Sequence, residues 1–388
     1  MKKVYWRPRA VSRTALLLIS VVSVCGLLFV QADYNRSRIT QPHYKIKKNA
    51  VELADRCMRA IKQERRNRKI YIDPEIDRAD SGLIGISMSY ATSVPGVLTA
   101  KRTTINPNFA AVIVDMLMRA GVGKDDYVAV GCSGSFPALN ICVYAALETL
   151  KCKPVIISSA AASQWGANIE DFLWLDMEKV LYDAKLISFR SSAASLGGVE
   201  DRGLGMSDQT LKVLQEGIRR SGLPEMESAR NYRESFSDSV DKRMRTYKDG
   251  VEGGTVQCYI NVGGGTTSVG TSLGKKLMHS GLNFTLPHKA RDIDSVMTRF
   301  LKEGVPVIHL VRITELAHRY GLKIAPDSIL NEPSGEVFFR HQYNTWYTSG
   351  VLAVILLSLY AFIRSDWGFR IFQTPGRRSD SGHPEPMI

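Results

Sequence analysis

The alternation of apolar and polar positions divides the middle of the chain into short buried strands and amphipathic helices. Four apolar runs are short enough to be strands: residues 127–130, 154–157, 256–262 and 305–310. Strands that alternate with helices are typical of a parallel sheet covered by helices. The pattern therefore predicts an α/β domain over residues 49–330, with a mainly parallel sheet flanked by helices and with strands 127–130 and 154–157 as parallel neighbours.

Five further segments complete this prediction. The first helix of the domain is expected over residues 49–68, and a short strand is expected over residues 187–189. A loop rich in small residues then follows over residues 191–205, and two polar helices are expected over 208–220 and 225–248.

Small residues follow three of the predicted strands directly. These turns, residues 131–135, 158–163 and 263–268, consist of Gly, Ala, Ser, Thr and Cys. Ligand crevices of open α/β sheets form at the carboxyl ends of the strands, where backbone can approach a ligand. We therefore expect the three turns to line one cleft.

Two cations lie just before the helix predicted over residues 108–120, where an anion would be favoured. We expect Lys101 or Arg102 to reach the cleft, and Trp165 to form one of its walls. The residues predicted to bind an anionic ligand are Lys101, Arg102, Ser133, Gly134, Ser135, Ser163, Trp165, Gly263, Gly264, Gly265 and Thr266.

Residues 131–135 occupy the position of a nucleophile elbow, G-x-S-x-G, with Ser135 in place of the final glycine. Ser133 is therefore a candidate catalytic nucleophile. It would need a base, and the histidines available for this role in the later part of the domain are His279, His288 and His309. Two alternatives remain open, because the same turn could bind an anion or be a plain tight turn.

Two other patterns suggest chemistry less directly. Residues 261–267 look like the phosphate turn of actin/hsp70-like ATPases, although an acid usually stands where Asn261 stands and no second phosphate motif accompanies it. Asp176 and Glu178 could be a general acid and base, but carboxylates on an amphipathic helix are usually solvated. No cofactor is predicted.

Both ends of the chain carry an uncharged apolar segment, over residues 14–30 and 346–363. As a helix, the first would be about 26 Å long, and a bilayer hydrocarbon core is about 30 Å thick. Each segment is therefore predicted to be a transmembrane helix. A cleaved signal peptide is the alternative for the first, because residues 30–32 resemble a cleavage site.

Basic residues set the predicted orientation in the membrane. A basic tail over residues 1–13 precedes the first segment, a basic linker over 31–48 follows it, and an arginine-bearing tail over 364–388 follows the second. The positive-inside rule places both tails in the cytoplasm. We therefore expect a protein of the cytoplasmic (inner) membrane with two spans and the α/β domain outside the cytoplasm.

The formal net charge of +13 is unevenly distributed. Residues 1–48 hold ten basic residues and one acidic residue, so +9 of the charge lies there. A basic segment beside an apolar one favours a membrane surface over nucleic acid, and no nucleic-acid motif is present. The cysteines show no metal-ligand spacing, so no metal site is predicted, and Cys25, Cys132, Cys142, Cys152 and Cys258 are expected to be buried thiols.

Several segments resemble one known family, the poly-gamma-glutamate system proteins. They are residues 96–104, 106–111, 134–140, 163–168, 174–178 and the glycine-rich turn at Gly263. The resemblance runs in order across roughly residues 80–270 and implies a pathway and a membrane setting. The expected function is a membrane-anchored component of poly-γ-glutamate synthesis or export that binds an anionic ligand or polymer, with other membrane proteins of that system, the anionic polymer and the lipid membrane as partners. The alternative is a serine-dependent hydrolase or transferase acting on γ-glutamyl amide bonds.

Overall fold

A six-stranded sheet lies at the centre of the chain in the computed structural model, which describes residues 13–32, 36–226, 235–270 and 272–364. The helices are α1 (Arg13–Gln31), α2 (Tyr44–Asn67), α3 (Leu98–Thr104), α4 (Asn108–Arg119), α5 (Pro137–Leu150), α6 (Trp174–Asp183), α7 (Asp208–Ser221), α8 (Phe236–Asp249), α9 (Thr266–Val269), α10 (Ser272–Leu277), α11 (Val296–Lys302), α12 (Ile313–Arg319) and α13 (Thr345–Arg364). The strands are β1 (Arg36–Thr40), β2 (Thr92–Val94), β3 (Tyr127–Cys132), β4 (Lys153–Ser159), β5 (Ala162–Ser163), β6 (Asn168–Ile169), β7 (Phe172–Leu173), β8 (Ala193–Ser195), β9 (Val256–Val262), β10 (Gly281–Asn283), β11 (Val307–Leu310) and β12 (Phe339–Tyr343).

The sheet is mixed, with the strand order β10-β11-β9-β3-β4-β8. Strands β11, β9, β3, β4 and β8 are parallel, and only β10 at one edge runs antiparallel to its neighbour. The predicted α/β class is therefore confirmed. So is the pairing of β3 with β4, which extends in register from Tyr127 opposite Lys153 to Cys132 opposite Ser158.

Helices cover both faces of the sheet. Successive residues of its central strands point to opposite sides, so each of these strands contributes to two cores. On β3, Val128 and Val130 join the larger core, under α2, α4 and α5, whereas Ala129 joins the smaller core, beside α8 and α11. The same alternation on β9 places Tyr259 in the smaller core. The result is a three-layer arrangement in which the carboxyl ends of the strands form one open edge.

Some predicted boundaries were wrong. Residues 187–189 do not form a strand. The N–H and the hydroxyl of Ser188 both donate to the Glu148 carboxylate at 2.9 Å, so this N–H does not pair with a neighbouring strand. The edge strand is β8 instead, inside the predicted loop over residues 191–205. The predicted basic linker also contains β1 and the start of α2. Helix α8 covers the later part of the helix predicted over 225–248, and residues 227–234 lie outside the described residues.

The chain forms two compact units, one spanning Thr40–Arg340 and the other formed by the two chain ends. In the terminal unit α1 packs against α13, with the rings of Phe29 and Tyr347 edge to face at a centroid distance of 6.0 Å. Both helices lie where spans were predicted. Among the described residues, however, none of the helices is both long enough and apolar enough to cross a membrane. The predicted tails over 1–13 and 364–388 lie outside the described residues, except for Arg13 and Arg364 themselves.

Candidate functional site

Three small-residue turns meet at the carboxyl edge of the sheet, after strands β9, β3 and β4, which are neighbours. They surround a cavity of about 520 Å³, so the predicted convergence of the turns is confirmed. That these turns bind a ligand stays a prediction. The predicted ligand-binding residues that line the cavity are Lys101, Ser133, Ser135, Ser163, Gly264, Gly265 and Thr266.

Glycine allows a close approach of backbone at two positions in this cleft. A Cβ atom on Gly131 would lie 2.7 Å from the hydroxyl oxygen of Tyr259, which is closer than packed atoms approach. Gly263 has a φ of 92°, and a Cβ atom there would lie 3.1 Å from Cβ of Ser133. Glycine is therefore required at both positions by packing, against Tyr259 of β9 at Gly131 and against Ser133 at Gly263.

Of the two cations predicted to reach the cleft, Lys101 does so. Its side chain is 2% exposed, its Nζ lies 2.8 Å from Ser163 Oγ, and it also donates to the Ser135 carbonyl. The ring of Phe136 lies beneath Nζ, with the centroid 3.8 Å away. No carboxylate in the described part of the chain pairs with Lys101. Burial therefore lowers the pKa of this ammonium from 10.5 to about 7.

Arg102 does not reach the cleft. Its guanidinium donates to the carbonyls of Ile76, at 2.8 Å, and Glu75 on another surface. Successive residues on a helix point about 100° apart, so only one of two adjacent cations on α3 can face the cavity. The prediction of Arg102 as a ligand-binding residue is therefore not supported by its position.

The three serines of the cleft are linked through their backbones. Ser133 Oγ accepts the N–H of Ser135 at 3.2 Å, and Ser135 Oγ accepts the N–H of Ser163 at 3.0 Å. Both hydroxyls are thus held at fixed positions facing the cavity. Their hydrogen atoms have no acceptor among the described residues.

Gly134, Trp165 and Gly263 do not line the cavity, although the sequence predicted them there. Gly134 packs against the chain at Ala161, whose carbonyl oxygen a Cβ atom would meet at 2.9 Å. Trp165 has a φ of 57°, and its N–H donates to the carbonyl of Ile86 at 2.9 Å. These residues shape the turns rather than the cavity surface.

The glycine-rich turn after β9 offers unpaired polar groups to the cavity. The N–H of Gly263 donates to the Leu310 carbonyl at 3.1 Å, but the N–H groups of Gly264 and Gly265 have no acceptor among the described residues. The hydroxyl of Thr267 is also buried without a partner there. An oxyanion in the cavity would satisfy such donors.

Four charged residues that the sequence analysis did not select as site residues also line the cavity: Asp201, Arg243, Lys275 and Arg312. Together with Lys101 they give four cations and one carboxylate. Arg312 follows β11 by two residues, so its place at a strand end was a usable signal. Arg243 lies on a polar helix that showed no such signal. Burial opposes its charge, but Asp201 together with Tyr247 and Tyr259 holds the pKa of Arg243 above its usual value.

None of the three candidate histidines lines the cavity. His279 and His288 are exposed elsewhere. His309 is buried on β11, where its Nδ1 lies 2.9 Å from Nδ2 of Asn261, and burial with the charge of Arg312 lowers its pKa to about 3. Asn261 also donates to the Gly263 carbonyl at 2.6 Å, so it holds the turn instead of carrying an acid's role. Ser133 therefore lacks the histidine base that was considered for it.

Cys132 lines the cavity as well, but burial raises the pKa of its thiol well above its usual range. Such a thiol stays protonated and is a poor nucleophile. The expectation of buried thiols is confirmed for Cys132, Cys142, Cys152 and Cys258, whereas Cys25 on α1 is exposed.

The expectation of solvated carboxylates on α6 was wrong. Asp176 is 5% exposed and accepts two hydrogen bonds from Arg220, both at 2.8 Å. Glu178 is fully buried, with Ser191 donating at 2.6 Å, and burial raises its pKa. Both carboxylates lie in hydrogen-bonded networks away from the cavity, and neither is placed to meet a ligand there.

No protein-family profile, curated protein or solved structure matches this chain. The cleft itself supports two kinds of chemistry. Its excess of positive charge and its unpaired N–H groups suit an anion, in particular a carboxylate. Its contact between a buried lysine and a serine hydroxyl suits nucleophilic catalysis.

Proposed function

We propose that this protein is a membrane-associated component of poly-γ-glutamate synthesis or export, and that it binds the anionic polymer or a related carboxylate ligand in the cleft. The observation that carries the proposal is the lining of the cavity, which contains four cationic side chains and one carboxylate: Lys101, Arg243, Lys275 and Arg312 with Asp201. Poly-γ-glutamate has one carboxylate per residue, and a carboxyl group with a pKa near 4 is ionised at neutral pH.

The size of the cavity supports a local site rather than a long basic track. A volume of about 520 Å³ lies in the range of small-molecule sites, so it would hold a few residues of a chain. Lys275 and Arg312 are exposed enough to meet carboxylates arriving from solvent. The N–H groups of Gly264 and Gly265, which also line the cavity, would then donate hydrogen bonds to a carboxylate oxygen.

The resemblance to the poly-gamma-glutamate system proteins supplies the choice of polymer. Several of the segments that carry it contribute to the cleft: residues 96–104 contain Lys101, residues 134–140 contain Ser135, and residues 163–168 begin with Ser163. Other membrane proteins of the same system are the proposed partners.

The membrane setting is supported by the surface of the terminal unit. Large apolar side chains are exposed along both of its helices: Leu17, Leu18, Val21, Val24, Leu27, Leu28 and Phe29 on α1, and Trp346, Tyr347, Leu352, Val354, Leu356, Leu357, Leu359 and Tyr360 on α13. Apolar patches of this kind mark membrane or protein contacts. A bilayer would cover them, and it is the setting in which the predicted orientation would apply, with both chain ends in the cytoplasm and the α/β domain outside.

Polymer binding can be tested with two neighbouring lysines. Lys275 lines the cavity and Lys276 does not, although both are exposed cations on α10. We expect Lys275→Ala to weaken binding of a fluorescent γ-linked glutamate oligomer about three- to five-fold, which corresponds to about 1 kcal/mol for an exposed ion pair. Lys276→Ala should leave binding unchanged. Equal losses in the two variants would show that only general charge attracts the oligomer, and would contradict a site in the cleft.

A second candidate function is hydrolysis or transfer at γ-glutamyl amide bonds. The contact of 2.8 Å between Lys101 Nζ and Ser163 Oγ favours it, because a serine nucleophile needs an adjacent base. Incubation of the full chain with a γ-linked oligomer would test this function by mass spectrometry. Shorter or rearranged oligomers are expected if it is correct, and an unchanged oligomer that is nevertheless bound would leave binding as the function.

A further inference from the structure

Lys101 and Ser163 form an isolated pair of polar groups at the wall of the cavity. Ser163 is 6% exposed and lines the cavity, and its Oγ lies 2.8 Å from Lys101 Nζ. Apart from Ser163, Nζ contacts the Ser135 carbonyl and the Phe136 ring. The other charged residues of the cavity, which are Asp201, Arg243, Lys275 and Arg312, make no hydrogen bond or ion pair with Nζ.

We propose that Ser163 is the nucleophile of an acyl-transfer centre in this cleft and that Lys101 is its general base. A buried ammonium without a carboxylate partner is costly, and the neutral amine is favoured there. A neutral amine has one lone pair, which can accept the Ser163 hydroxyl proton while an N–H donates to the Ser135 carbonyl. Burial lowers the pKa of Lys101 to about 7, so the neutral form is populated near physiological pH.

The reaction balances with the groups present. Lys101 Nζ takes the proton of Ser163 Oγ while Oγ forms a bond to the carbonyl carbon of an amide, and the carbonyl electron pair moves to its oxygen. When that pair returns, the C–N bond breaks and the leaving nitrogen takes the proton from Lys101. Water then attacks the Ser163 ester with Lys101 again as base, which gives a carboxylic acid and restores the serine. An amine in place of water gives a new amide instead.

The neighbouring serines fit other roles in the same step. Ser133 has no base within hydrogen-bond distance among the described residues, so it is not the nucleophile in this proposal. Ser135 Oγ accepts the N–H of Ser163 at 3.0 Å, and its own hydrogen is free to donate to an oxyanion that forms beside Ser163. The proposal thus moves the predicted nucleophile from Ser133 to Ser163. Only the choice of a γ-glutamyl amide as substrate rests on the proposed function.

The proposal can be tested with a fluorophosphonate probe on the full chain in detergent micelles. We expect one covalent adduct, located on Ser163 by fragmentation mass spectrometry. Ser163→Ala should abolish it, whereas Ser192→Ala should keep it, because Ser192 is an exposed serine outside the cavity. Lys101→Arg keeps the charge but removes the base, and it should slow labelling about 100-fold or more, the usual contribution of a general base.

A pH profile covers the case in which Lys101→Arg does not fold. Labelling of the wild-type chain should be slow below pH 7 and should rise to a plateau above it, because only the neutral amine can accept a proton. Titration of the same preparation with a γ-linked glutamate oligomer separates this inference from the proposed function. An adduct on Ser133, an adduct that survives in Ser163→Ala, or no adduct on a chain that binds the oligomer would overturn the dyad and leave the binding function standing. An adduct on Ser163 without oligomer binding would support the dyad and count against polymer binding.

Discussion

At the residue scale, Lys101 is a buried cation whose ammonium contacts a serine hydroxyl, a carbonyl and an aromatic ring. A lysine is almost never buried without a partner, and here no carboxylate of the described residues provides one. The energetic penalty for this arrangement falls on the folded state alone, since the unfolded chain leaves the ammonium in water. Residues kept at such a cost are frequently functional.

The first prediction follows from this penalty. Lys101 has a lower pKa in the folded state, about 7, than the usual 10.5, so the full penalty applies below pH 7, falls as pH rises toward 10.5, and is absent above it. Lys101→Met should therefore be more stable than wild type at pH 6, by up to about 5 kcal/mol before its lost hydrogen bonds are subtracted. Its advantage in urea unfolding should shrink steadily between pH 7 and pH 10. An advantage that does not change with pH would contradict the assigned pKa.

The second prediction compares two glycines of the turn after β9. Gly263 has a positive φ and faces Ser133 closely, whereas a Cβ atom on Gly265 would meet nothing within 4 Å. Gly263→Ala should lower the free energy of unfolding by about 1–3 kcal/mol, because alanine avoids this backbone conformation. Gly265→Ala should have little effect. Thermal unfolding of both variants checks the prediction, and equal shifts would contradict it.

Single residues also mark where prediction from sequence stops. The sequence placed two cations just before α4 but could not tell which one faces the cleft, because that depends on the rotation of α3 about its axis. The sequence also indicated Ser133 as the nucleophile, because residues 131–135 resemble a nucleophile elbow. The partner of Lys101 proved to be Ser163, 62 positions away, which only the folded chain brings within reach.

At the element scale, the strands with large apolar side chains were predictable and those with small ones were not. Strands β3, β4 and β9 are buried on both faces, and such strands appear as continuous apolar runs. Strand β8 consists of Ala193, Ala194 and Ser195, a composition that equally suits a loop. Residues 187–189 are apolar enough for a strand, but their place in the fold is set by a side-chain contact with α5.

The loop after β8 gives the third prediction. Asp201 in this loop lines the cavity and pairs with Arg243, whose side chain is 4% exposed. Asp201→Ala would leave that guanidinium buried without its partner, a change that typically costs about 3–5 kcal/mol. Arg202 is 6% exposed in the wild-type chain. We expect the loop to open in the variant and trypsin to cleave faster after Arg202.

An exposed ion pair provides the control for this experiment. Glu216 pairs with Arg219 on the surface of α7, at 2.6 Å. Exposed ion pairs contribute little to stability, so Glu216→Gln should leave the rate of tryptic cleavage after Arg202 unchanged. Unchanged cleavage after Arg202 in Asp201→Ala would show that the ion pair does not hold the loop.

At the scale of the whole molecule, positive charge is found both near the start of the sequence and in the cleft. The net charge of +13 is concentrated before residue 49, whereas the cleft gathers a small local excess from separate parts of the chain. The segregation of charge to one end was visible in the sequence. The local excess was not, because Arg243, Lys275 and Arg312 meet Lys101 only through the sheet topology.

Carboxylate binding in the cleft can be tested directly by hydrogen–deuterium exchange across the full chain, with and without a γ-linked glutamate oligomer. If the cleft binds carboxylates, exchange should slow in the turn over residues 263–268, where the N–H groups of Gly264 and Gly265 have no acceptor among the described residues, and in the turn over 131–135. An oligomer with every carboxylate amidated should cause no such change. Slower exchange confined to the basic residues of α2, with both turns unaffected, would show that the oligomer does not bind in the cleft.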